Sequence, residues 1–188
     1  TYGDFVNELI APYEGHPLFP DKRPPGQWTD DASLLIKMAE AVIASEGYLT
    51  FEHVADQLLR WAELPEYACA GPSTIAAINA LKSGVNPRMS GRTGRLAADG
   101  VSNGAAMKVS PAGLANPGDL DGAVGDSITM TVPTHGTSVA VEGAAAIAAG
   151  VAQALEEEAT VASVVQACLY GAVEGKKRSK GLVRQVPS

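Results

Sequence analysis

At 188 residues the chain is long enough for one well-buried domain and short for two. A net charge of −7 and a pI near 4.9 argue against a general nucleic-acid binder, whose phosphate contacts need a basic surface. Hydrophobic residues make up 46% and aromatic ones only 5%, so the core must be built from Ala, Val, Leu and Ile, a composition that favours closely packed helices.

Residues 1–11 read as the tail of a helix with Phe5, Val6, Leu9 and Ile10 on one side, and 12–25 as a proline-punctuated loop holding His16. The first residue is not Met, so sequence before it is an expectation. The first secure helix runs over 29–44, with Leu34, Leu35, Met38, Ala41 and Val42 at helical spacing. Thr50 is placed to cap a second helix with Phe51, Val54, Leu58 and Trp61 inward, stopped by Pro65. Gly71-Pro72-Ser73-Thr74 opens a third, to about residue 82, with Pro72 at a first helical position.

Residues 83–100 read as an exposed loop, whose Arg88, Arg92 and Arg95 are expected to be solvated. A small polar turn at 102–104 then enters a helix that Pro111 and Pro117 break into short pieces. Asp119 is placed to cap a helix over 119–131, and Pro133-Thr134-His135-Gly136 is a turn. Helices over 138–155, smooth enough to sit mid-bundle, and 160–172 follow, the last with Val161, Val164, Val165, Cys168 and Leu169. Gly171 and Gly175 are expected to end it and leave 175–188 as a frayed basic tail.

No strand-period run of useful length and no internal repeat is visible, so the expectation is a single all-α domain over 1–188. Neither a zinc spacing nor a disulfide framework is present, and Cys69 and Cys168 are expected to be reduced and non-catalytic. With no signal peptide and no apolar run of membrane-spanning character, the expectation is a cytoplasmic protein with no membrane partner. Phosphate-loop, dinucleotide and nucleophile-elbow motifs are absent.

Four small polar turns carry the chemistry, each at an expected helix N-terminus. Thr29, Asp30 and Asp31 have two readings: a helix cap favoured by the dipole, or hard oxygens suited to Mg²⁺, Mn²⁺ or Ca²⁺. Turns at Gly71, Ser73 and Thr74 and at Ser102, Asn103 and Gly104 are helix caps or places where free N–H groups and hydroxyls meet a ligand. His135 is a packed turn residue or part of the same pocket. If the four ends converge, they line a site for a hydroxyl-rich or phosphorylated ligand with a hard metal.

Taken together, Trp28-Thr29-Asp30-Asp31 before an apolar helix, Gly71-Pro72-Ser73-Thr74, the run from Ser102-Asn103-Gly104-Ala105-Ala106-Met107 to Pro111, and Thr134-His135 resemble the ADP-ribosylglycohydrolase family, all-helical hydrolases of the dinitrogenase-reductase-activating type. The resemblance spans roughly residues 27–172. It implies a compact orthogonal helical bundle with a pair of Mg²⁺ or Mn²⁺ ions at its centre, and water attack on the anomeric carbon of an N- or O-linked ribosyl group. Thr29, Asp30 and Asp31 would then be metal ligands. Gly71, Ser73, Thr74, Ser102, Asn103 and Gly104 would bind substrate, with His135 at the rim of the pocket or supporting it.

Two departures accompany the resemblance. The second acidic cluster that completes the family's metal site has no counterpart after Thr134, and Gly3-Asp4 only echoes a Gly-Asp motif near the family's start. The chain is therefore expected to be a fragment of a longer domain or to carry an incomplete site. No general base is assigned; Glu66 is the nearest acid to the Gly71 turn. Three functions remain: an enzyme removing ADP-ribose from a protein or small-molecule acceptor, a nucleoside or N-riboside hydrolase on the same scaffold, and a non-catalytic ADP-ribose-binding remnant.

Overall fold

The computed structural model describes residues 28–92 and 100–186. Among them the α-helices run in the order α1 (Asp30–Ala44), α2 (Phe51–Trp61), α3 (Pro72–Lys82), α4 (Pro87–Ser90), α5 (Ser110–Leu114), α6 (Leu120–Thr131), α7 (Ser138–Ala154) and α8 (Val161–Arg178). Short 3₁₀ turns lie at Pro65–Cys69 and Ala106–Lys108. The only β pairing among the described residues is two isolated bridges, so the fold is all-α. The expectations over 1–27, at Arg95 and at the last two residues lie outside the described residues.

Side-chain caps start the helices as their sequences indicate. Thr50 Oγ1 accepts the His53 N–H at 3.3 Å and Thr160 Oγ1 that of Ser163 at 3.1 Å, each reciprocated by the residue three on, and Asp119 Oδ1 accepts the Gly122 N–H at 3.0 Å. These bonds satisfy donors that a helix start leaves open. Trp61 then ties the first half together. Its fully buried indole donates to Ser33 Oγ of α1 at 2.8 Å and meets the Tyr67 ring edge-on at 5.4 Å.

In the second half α7 is central, packed against α5, α6 and α8. It buries Ala140, Val141, Ala144, Ala145, Ala148, Ala149 and Ala152, and small side chains let neighbouring backbones come close. The α7–α8 contact corrects the expected end of the last helix. Gly171 and Gly175 do not terminate it; they lie inside α8, where added Cβ atoms would stand 2.8 Å from Ala149 Cβ and 2.6 Å from Ala145 Cβ. Close approach to α7, not a turn, is what needs glycine there. The face of α8 toward the core is Ala167, Gly171 and Gly175. Val161, Val165 and Leu169 instead stand 84%, 52% and 65% exposed, at four-residue spacing along the other side.

The basic end is not frayed. After α8 the chain folds back over the start of α7: Arg184 N–H donates to Gly136 O and Ser138 N–H to Arg184 O, both at 2.9 Å, and Val183 is buried. Arg92, read from sequence as solvated, donates to Gly181 O and Leu182 O and holds this return. The expected loop at 83–100 is likewise partly built in. It contains α4, whose buried Ser90 donates to Pro133 O at 2.7 Å.

Candidate functional site

Three of the four polar turns are joined by hydrogen bonds. Gly100 is held on both sides, its N–H donating to Ser73 Oγ at 3.0 Å and its carbonyl accepting from Thr137 Oγ1 at 2.6 Å. That links the N-terminus of α3, the approach to 102–104 and the turn before α7. Thr137 also caps α7 through the Ala140 N–H, so one hydroxyl serves both helix and site. Next to it Gly136 N–H donates to Gly91 O at 3.0 Å.

On this frame sits His135, fully buried. Its Nε2 is 2.8 Å from Ser102 Oγ and its Nδ1 is 2.9 Å from Thr134 Oγ1. Gly104 lies so close that a Cβ there would stand 2.9 Å from His135 Cε1. The small residue is therefore required by the imidazole. On the far side of Thr134 the ammonium of Lys108, fully buried, donates to Thr134 Oγ1. The result is a continuous chain from Lys108 through Thr134 and His135 to Ser102, whose outer end is exposed. Burial, reinforced by the charge of Lys108, pushes the His135 pKa down to about 3, so the ring is neutral at pH 7. Burial alone brings Lys108 down to about 7.

Asn103 is exposed and Gly71 lies in open space at the N-cap of α3, while Thr74 is buried in the first turn of that helix. Lys108 and Thr137 are the residues that sequence reasoning missed. The available signal for Lys108 was its place between Met107 and Val109, in an apolar run where a cation would be under-solvated.

The fourth turn is built differently. Thr29 is the N-cap residue of α1, but its hydroxyl accepts no backbone N–H; it donates to Asp31 Oδ2 at 3.3 Å. Ser33 N–H makes the first bond of the helix ladder to Thr29 O, and the Ser33 hydroxyl donates to the same carbonyl at 2.9 Å, so no side chain caps α1. Trp28 Nε1 donates to Glu66 Oε1 at 2.9 Å, so the acid nearest the Gly71 turn is engaged in holding the approach to α1. Asp31 is exposed, and Thr29 and Asp30 are half-buried. Through α1 this turn belongs to the same packing unit as the 3₁₀ turn that carries Lys108.

A hydroxyl and two carboxylates suit a hard divalent cation, and in donor type they fit Mg²⁺ or Mn²⁺. They are also few. Among the described residues no group of three or more His, Cys, Asp or Glu side chains could hold a metal ion. Neither cysteine forms a disulfide, and no described helix is long and apolar enough to cross a membrane.

Comparisons with known proteins give the family. The family model described as ADP-ribosylglycohydrolase matches residues 3–186. Over 142 residues the chain is 33% identical to the uncharacterized protein YegU of Escherichia coli, covering 73% of this chain and 41% of that protein. It is 32% identical over 151 residues to an uncharacterized protein of Archaeoglobus fulgidus, covering 80% and 45%. With the ADP-ribosylarginine hydrolase Tri1 of Pseudomonas putida it shares 26% identity over 192 residues, covering 96% and 50%. The chain thus spans about half the length of the curated relatives it matches. No solved structure gives a significant match. On the family match and these identities, the chain belongs to the ADP-ribosylglycohydrolase family.

Proposed function

We propose that this chain carries the substrate-facing part of a metal-dependent hydrolase of N- or O-ribosyl bonds, releasing ADP-ribose from a protein or small-molecule acceptor. The observation that carries the reading is that, in a chain of this family, three of the four polar turns are joined by hydrogen bonds, with one buried imidazole among them. An ADP-ribosylarginine hydrolase among the relatives supports the substrate class.

In this reading Thr29, Asp30 and Asp31 hold Mg²⁺ or Mn²⁺, which would polarise a bound water and the ribose hydroxyls. The hydroxyl of Thr29, not spent on capping, and the exposure of Asp31 support that role. The remaining work falls to the chain's own groups. Ser102, backed by His135, offers a hydroxyl to ligand oxygens; the open Gly71 and exposed Asn103 leave backbone within reach of the ribose or phosphates, and Gly104 serves the site by making room for the His135 ring. Ser73 and Thr74 fix the first turn of α3, Ser73 by holding Gly100 in place. Neutral His135 adds no charge of its own; it positions Ser102.

The test is a substrate panel of ADP-ribosyl-arginine, ADP-ribosyl-serine and plain nucleosides with Mg²⁺ or Mn²⁺. Release of ADP-ribose from either conjugate is the expected result, and turnover of nucleosides alone would overturn it in favour of the N-riboside reading. A binding module without catalysis is the second reading, favoured by the lack of a third acidic metal ligand among the described residues. ADP-ribose binding with no turnover of any panel member would establish it.

A further inference from the structure

The reading above uses Ser102 and His135 but gives no reason for a lysine to be buried behind them. We propose that Lys108 is a positioning residue: through Thr134 it fixes His135 as the Nε2–H tautomer, so that Ser102 presents its own proton outward as a hydrogen-bond donor. The number of protons available to the three side chains fixes the direction of their hydrogen bonds. An ammonium can only donate, so the lone pair of Thr134 Oγ1 that faces Lys108 is taken. The single hydroxyl proton of Thr134 then has two acceptors within reach, His135 Nδ1 at 2.9 Å and Thr131 O at 3.4 Å. The first is a normal hydrogen bond and the second lies at the long limit. An oxygen that accepts from a cation is also polarised into a better donor, which strengthens the shorter bond further.

With Nδ1 accepting and the ring neutral, the imidazole proton must sit on Nε2. Nε2–H then donates to Ser102 Oγ across 2.8 Å, and the Ser102 hydroxyl proton is left to point away from the histidine toward the exposed side. The opposite tautomer would place two N–H donors on Thr134 Oγ1 and leave its proton the 3.4 Å contact alone. It would also turn Ser102 into a donor to Nε2, the arrangement of a serine activated for nucleophilic attack. Lys108 therefore decides between two chemistries at Ser102. It selects a donor for an anionic or carbonyl oxygen of the ligand and disfavours a nucleophile. No ion pair to Lys108 exists among the described residues, so its charge acts on Thr134 without a competing carboxylate. The direction of this chain does not depend on the proposed reaction.

The experiment is long-range ¹H–¹⁵N correlation NMR of ¹⁵N-histidine-labelled protein near pH 5.5, below the Lys108 value of about 7 and above the His135 value of about 3, in which the shifts of the two ring nitrogens report the tautomer directly. His135 should show a single Nε2–H form in the native protein. Lys108→Met and Thr134→Val should give a mixture of tautomers or the Nδ1–H form, whereas Lys108→Gln and Thr134→Ser, which keep a donor and a hydroxyl, should retain Nε2–H. Burying a cation without an ion-pair partner is costly, so an apolar side chain of similar size at this position removes that cost. If Lys108→Met nevertheless does not fold, Thr134→Val decides, because it cuts the link between the lysine and the ring, and an Nε2–H form that persists in it would overturn the assignment. An Nδ1–H ring in the native protein, or an unchanged ring in folded Lys108→Met or Thr134→Val, would overturn it as well. The native protein should also leave Ser102 unlabelled by a serine-reactive fluorophosphonate, and labelling at Ser102 would contradict the donor role.

Discussion

The turn at Thr29, Asp30 and Asp31 and the chain from Lys108 to Ser102 are both candidate functional regions, yet the fold treats them in opposite ways. The second is wired by packing: Lys108, Thr134 and His135 are buried, and each has a defined partner. In the first, Asp31 is exposed while Thr29 and Asp30 are half-buried, and the Thr29 hydroxyl donates to Asp31. A buried hydrogen-bonded network is organised before any ligand arrives, because an unsatisfied member would be costly. An exposed carboxylate at a helix start, as Asp31 is, can be organised further by a cation. Stability should therefore reside in the chain from Lys108 to Ser102, and ion dependence in the turn at Thr29, Asp30 and Asp31.

The largest expected effect is on the buried side. His135→Ala should lower unfolding free energy by about 2–5 kcal/mol, combining a cavity with partners left unpaired, as measured by urea denaturation. A loss under about 1 kcal/mol would mean the network is not structural and would erase the contrast. Next comes the ion side. Exchanging both Asp30 and Asp31 for Asn should cut metal-dependent turnover by at least about a hundredfold, given that even outer-shell changes cost 10–100-fold. The same double variant should lose no more than about 2 kcal/mol of stability, the sum of two first-turn dipole interactions.

A pH titration of stability sharpens the contrast. The folded pKa of His135, about 3, lies below its unfolded value near 6.5, so the unfolded chain binds the extra proton between those limits. Stability should fall as pH drops from about 6.5 toward 3, and His135→Gln should flatten that limb. Lys108 acts on the other side: with a folded pKa of about 7, its burial cost is present in full below that pH and is relieved as pH rises toward 10.5. The smallest expected effect is at the thiols. Alkylating Cys69 and Cys168 in the native protein should leave activity unchanged, and a loss prevented by substrate would place Cys69 at the site.

Much of this was legible from local signals. Thr50, Asp119 and Thr160 cap where their types and spacing indicate, since capping involves residues within one turn. Helical periodicity gave the all-α class for the same reason. What the sequence concealed is tertiary. Gly171 and Gly175 carry the local signature of a helix stop, and only the approach of α7 explains them inside α8. Lys108 and Arg92 look like surface charges, because a side chain's burial is decided by segments far away in sequence, here Thr134 and the return at 181–182. In the candidate site the residue types of the turns were readable, and so was their family pattern. That Ser73, Gly100 and Thr137 would lock three of those turns together was not, since no local rule pairs residues dozens of positions apart.

The central claim is that the hard-metal site lies at Thr29, Asp30 and Asp31 and not elsewhere on the chain. Paramagnetic broadening of backbone amide signals during a Mn²⁺ titration tests it most directly, since the effect falls off steeply with distance and needs no turnover. The account predicts that signals at the start of α1 broaden first, at Mn²⁺ concentrations reflecting weak binding by few protein ligands, and that exchanging Asp30 and Asp31 for Asn abolishes the effect. Broadening centred on another part of the molecule, or unchanged in the double variant, would contradict it.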